Sequence, residues 1–104
     1  MRTRGTLSAG ERTRRKILNA GVKLWIETDG HVTAHNIGAA LNMTHSAVLY
    51  HYKSGSILRT AVAYHAVEVG NSRVIMHLLA IRHPACDDLD SEARARHIRI
   101  AQAL

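Results

Sequence analysis

Apolar residues recur three and four positions apart through most of the chain, the spacing that gathers them on one side of a helix. Ile17, Gly21, Leu24 and Thr28 form one stripe, with Leu18, Val22 and Trp25 beside it, and Ser8 followed by Glu11 has capping-box spacing. A helix is therefore predicted from about Ser8 to Thr28, ended by Asp29-Gly30. Trp25, the largest apolar group in a chain without Phe, is expected at the centre of the core. Two short helices follow between Thr33 and Tyr52. Thr33 caps the first, whose Ile37 and Leu41 lie four apart. Asn42 supplies a residue that tolerates the left-handed backbone of a tight turn, and Met43 fills the angle. Thr44 caps the second helix, which turns Val48 and Tyr52 inward.

Ser54 caps the next helix, carrying Ile57, Leu58, Ala61, Val62, His65 and Val69. Gly70-Asn71 is expected to weaken or bend it, the glycine at about 1 kcal/mol. Val74, Ile75, Leu78, Leu79 and Ile81 continue the helical spacing to Arg82, a run too apolar to face water. Packing on the chain's own core and a seam between two copies are both compatible with it. The seam is favoured, because the unit ending near His65 already supplies core partners. Pro84 and Asp87-Asp88 make a loop, and Asp90 or Ser91 caps a last helix to about Ala103. Its acids precede its arginines, the order a helix dipole prefers, and Ala93, His97, Ile100 and Leu104 line one side. The resulting expectation is an all-α chain in three parts: a flexible basic arm over 1–8, a compact helical unit over 9–65 and a helical dimerisation segment over 66–104. Val74, Ile75, Leu78, Leu79, Ile100 and Leu104 are the candidate interface.

Charge changes the picture more than composition does. The formal net charge is +6, and through His65 there are nine Lys or Arg against three acids, whereas five of each cancel from Ala66 onward. No Asp or Glu stands between Gly30 and Val67, the segment that holds the paired short helices. A polyanion fits this asymmetry, since each neutralised phosphate releases counterions and an acid in the footprint would oppose it. The arm with Arg2 and Arg4 either tracks phosphates, enters a minor groove or stays disordered. The outward face of the second short helix carries Thr44, His45, Ser46, Ala47, Tyr50 and His51, small, polar and aromatic groups suited to a DNA groove.

Other classes find little footing. No apolar run reaches the ~20 residues of a membrane span, and no signal-peptide core follows the basic start, so a soluble, cytoplasmic, nucleoid-associated protein is expected. One cysteine, Cys86, excludes an intramolecular disulfide and a multi-cysteine metal site. Eight histidines invite a metal, but His31 lies before the cap at Thr33 rather than on one helix with His35, and no nearby carboxylate completes a site. Neither a Ser-His-acid or Cys-His grouping nor a glycine-rich phosphate loop stands out. No enzyme, metal or cofactor is expected.

The runs ILNAGVKLW, TAHNIG and NMTHSAVLYHYKSGSIL together resemble the tetracycline-repressor (TetR) family of helix-turn-helix regulators. Ile17, Leu18, Ala20, Gly21, Leu24 and Trp25 follow the family's first-helix pattern "IL-x-A-A-x-x-L-F". Thr33, Ile37 and Gly38 follow "T-x-x-x-I-A", and Asn42, Met43, Thr44, Val48, His51, Tyr52, Ser54 and Leu58 follow its recognition-helix pattern. The likeness covers about Glu11 to His65. It implies a three-helix helix-turn-helix domain that lays Thr44 to Tyr52 in a major groove. Base contacts would come from Thr44, His45, Ser46, Ala47 and His51, and phosphate contacts from Arg12, Arg14, Arg15, Lys16, Thr33, Tyr50 and Lys53. Leu49 stands where the family has a phosphate-binding tyrosine, with Tyr50 adjacent, and Gly55 where it has a lysine, with Lys53 nearby. Barely forty residues remain after the match, which leaves little room for a small-molecule effector pocket, one that encloses ~300 Å³ or more. The function these observations imply is a dimeric, sequence-specific repressor or autoregulator acting on double-stranded DNA with a near-palindromic operator. The competing reading is an interaction module of a mobile element that inhibits a protein partner through its apolar C-terminal helices.

Overall fold

Side-chain caps divide the chain into its helices. The computed structural model describes residues 7–104; Arg2 and Arg4 of the expected arm lie outside them. Six α-helices follow in order: α1 (Ala9–Glu27), α2 (Ala34–Leu41), α3 (His45–His51), α4 (Gly55–Val69), α5 (Ser72–Ala80) and α6 (Ser91–Gln102), with a 3₁₀ turn over Pro84–Cys86 before the last. Among the described residues there is no strand, and no helix is long and apolar enough to cross a membrane. Ser8 and Glu11 close the capping box on α1, and Thr33 with Asn36 closes a second on α2. Thr44, Ser54 and Asp90 each accept from a backbone N–H in the first turn that follows them. Asn42 ends α2 in the left-handed conformation, φ 57°, as the turn requires.

Gly70-Asn71 is a full break rather than a bend. Gly70 closes α4 with φ 73°, and the Asn71 side chain accepts from the Val74 N–H at 3.1 Å to start α5. The break turns α5 back onto α1 and α4, and three of the six residues expected at a seam go into the core with it. Val74 (1 % exposed), Ile75 (0 %) and Leu78 (0 %) are buried in the chain's own core beside Ile17, Trp25, Ile37 and Val62, and Leu79 packs half-buried against it. Val74, Ile75 and Leu78 have no surface left for a second copy. Ile100 and Leu104 do face out, at 45 and 74 % exposure. The side of α6 that packs carries Ala101 and His97 instead: His97 Nδ1 lies 2.8 Å from the Ser72 hydroxyl of α5. Arg94 further clamps α6 by donating to the carbonyls of Leu89 and Cys86, at 2.7 and 3.0 Å. The division expected at 65/66 falls inside α4, and one apolar core takes in both sides of it. Cys86 is buried in this core, which pushes its thiol pKa up.

Trp25 takes the central place that its size demands, at 3 % exposure. Its indole N–H donates to His77 Nδ1 at 2.9 Å, and His77 Nε2 lies 3.0 Å from Asp29 Oδ1. Because Nδ1 accepts, the ring proton sits on Nε2 and is donated to the carboxylate. This chain pins α5 to the turn that ends α1. Replacing His77 with leucine orphans a buried donor, so His77→Leu is expected to lower stability by about 2 kcal/mol in urea unfolding. A Trp25→Phe, His77→Leu double variant should fall short of the sum of the single losses, since the donor is then gone as well.

Candidate nucleic-acid interface

The site is built on the angle between α2 and α3. Gly38 makes it possible: a Cβ there would lie 2.5 Å from the Met43 carbonyl oxygen, so the chain doubles back onto the bare backbone of α2. The Met43 N–H closes the turn by donating to the Gly38 carbonyl at 2.8 Å. Val48 then anchors the underside of α3 with no exposed surface, and Met43, Leu49 and Tyr52 pack half-buried around it. Burial raises the Tyr52 hydroxyl pKa, against the opposing pull of Arg14.

With α3 anchored from below, Thr44, His45 and Ser46 stand exposed in its first turn, and Ala47 is half-covered. Thr44 Oγ1 accepts from the Ala47 N–H at 3.1 Å and keeps its own proton for an outside acceptor. Thr33 is placed alike at the head of α2. Tyr50 projects at 82 % exposure with its ring edge against His51, centroids 5.3 Å apart, while His51 is half-buried. Leu49 turns inward, so Tyr50 is the tyrosine available on the surface of α3. Lys53 is exposed in the link to α4.

The basic run of α1 does not form one surface. At 100° per residue, five consecutive positions cover more than a full turn of helix. Arg14 and Arg15 border a groove with Leu18, Tyr52 and His65. Lys16 instead borders a groove of about 400 Å³ between α1 and α2, with Lys23, Leu24 and Leu41. Arg12 reaches back to the Leu7 carbonyl at 2.6 Å. The expected phosphate cluster is thus distributed around the helix.

Two residues absent from the expected set belong to this region. Arg59 folds back along α4 until its Nη1 lies 3.1 Å from where a Gly55 Cβ would stand, and it reaches the Val32 carbonyl at 3.5 Å. A cation therefore lies over Gly55, and its i, i+4 spacing from that glycine was the available signal. The second is His35, whose imidazole stacks on that of His45, centroids 4.2 Å apart. Nothing in the spacing of the sequence pairs them. Among the described residues no group of three or more His, Cys, Asp or Glu side chains is placed to hold a metal ion. Comparison with family models, with curated proteins and with solved structures finds no match to this chain.

Proposed function

We infer that this chain is a helix-turn-helix, sequence-specific DNA-binding regulator of transcription, acting as a repressor or autoregulator. The observation that carries the reading is the exposed, acid-free first turn of α3, held at a fixed angle to α2 by Asn42 and the close approach at Gly38. α3 enters the major groove, with Thr44, His45, Ser46 and Ala47 toward base edges and His51 at the margin. Thr33, Tyr50 and Lys53 hold phosphates from the α2–α3 unit, joined by Arg59. Arg12, Arg14, Arg15 and Lys16 serve whichever strand lies along their own side of α1. The ordered likeness of Glu11 to His65 to the TetR pattern supports the same reading. The chain acts as a homodimer, its seam drawn from apolar groups that remain outside the core, Ile100 and Leu104 among them. The protein-partner reading loses ground because its apolar helix α5 faces the core.

Selection of duplexes from a random pool tests this. The expected product is a near-palindrome whose half-sites lie ~34 Å apart, one helical turn, or a multiple of it. A single unrepeated site would count against the dimer, and failure to enrich any sequence would count against specific recognition.

A further inference from the structure

The rings of His35 and His45 lie face to face, planes inclined by only 21° and centroids 4.2 Å apart. This is the one stacked ring pair among the described residues; Trp25–His77, Tyr50–His51 and Tyr64–His83 all meet edge to face at 5.3 Å or more. His35 lies in the first turn of α2 and His45 opens α3, so the stack spans the outer side of the angle between them. Both side chains are exposed, and the core beneath is complete without them, closed by Ile37 and Val48. The stack is thus a surface feature on the face assigned above to DNA.

A lone imidazole at the first position of a helix turns about two side-chain bonds, and binding must freeze both. Stacked on a second ring, its plane and the directions of its ring nitrogens are restricted before any partner arrives. Aromatic contacts of this kind are strong enough to hold a surface side chain in one orientation much of the time. We propose that His35 is a positioning residue for recognition: it holds the His45 imidazole edge-on to the base pairs and touches no base itself. The inference rests on the DNA-binding reading above. It adds to that reading a residue of α2 that sets the aim of the recognition helix.

A double-mutant cycle on the selected duplex tests it, with unfolding midpoints measured for every variant. His35→Ala is expected to weaken binding about fivefold, on the scale of one aromatic contact. His45→Ala weakens it more, and the double variant is no weaker than His45→Ala alone. His35→Phe keeps a flat ring without an N–H and stays within about twofold of the parent chain, as stacking requires. Binding to a scrambled duplex is unchanged throughout. Equal losses from His35→Ala in both backgrounds would overturn the coupling and leave the DNA-binding reading standing. So would a folded phenylalanine variant about fivefold or more weaker than the parent chain, which decides the matter even if His35→Ala does not fold. A parent chain that prefers no duplex would overturn both.

Discussion

A Gly38→Ala variant is expected to lose about 2 to 3 kcal/mol of stability, and Gly38→Val more, by the overpacking it forces. The added Cβ meets the Met43 carbonyl oxygen at 2.5 Å, and a backbone atom at the heart of a turn has no alternative rotamer. The α2–α3 angle must open, which breaks the bond from the Met43 N–H to the Gly38 carbonyl. For a domain of this size the loss appears as a fall of roughly 10 to 20 °C in the unfolding midpoint. Gly21 offers a control. A Cβ there meets Val62 Cγ2, also at 2.5 Å, but that is a side chain able to shift. Gly21→Ala is therefore expected to lose only about 1 to 2 kcal/mol. Equal losses at the two sites would contradict the distinction between backbone and side-chain contact.

Ala47→Glu is expected to separate fold from function. Ala47 is the third residue of α3, after Thr44 at the cap. A glutamate there completes the capping box that α1 and α2 already have, so the helix gains a few tenths of a kcal/mol if anything. The same carboxylate enters a surface otherwise free of acids from Gly30 to Val67 and opposes phosphate and base-edge acceptors alike. Affinity for a specific duplex should fall on the order of 100-fold, a repelled charge plus a lost base contact. The unfolding midpoint should hold or rise. A variant that binds DNA normally would remove α3 from the interface; one that unfolds would make the loss uninterpretable as recognition, and urea unfolding distinguishes the two.

The helix starts were legible because each rests on chemistry local to four residues. Ser8 with Glu11, and Thr33, Thr44 and Ser54, each cap from within the segment that names them. Asn42 was legible for the same reason. The partner of an apolar stripe was not, because periodicity reports that a side is buried and not what buries it. Val74, Ile75 and Leu78 gave the same pattern for a dimer seam as for an internal core, and the break at Gly70-Asn71 decided between them by turning α5 back. Glycine misleads in a related way. Gly21 and Gly38 stand where the TetR pattern has alanine, and by propensity they only weaken a helix. In three dimensions they are the points where α1 meets α4 and α2 meets its own turn more closely than a methyl allows.

The candidate site divides along the same line. Exposure of Thr44, His45 and Ser46 followed from the inward side of α3, once Val48 and Tyr52 defined it. The pairing of His35 with His45, ten residues apart, depends on the angle between two helices, which no local spacing encodes. The hydrogen bond from Trp25 to His77, 52 residues apart, was hidden for the same reason.

The central claim is specific DNA binding through α3, and fluorescence anisotropy tests it most directly. The labelled duplex is the one enriched from the random pool, a scrambled duplex is the control, and both are titrated across a salt series. The account predicts tight binding to the first duplex, at least a hundredfold above the control, with affinity that falls steeply as salt rises. Equal weak binding to both duplexes, or no binding even at low salt, would contradict it.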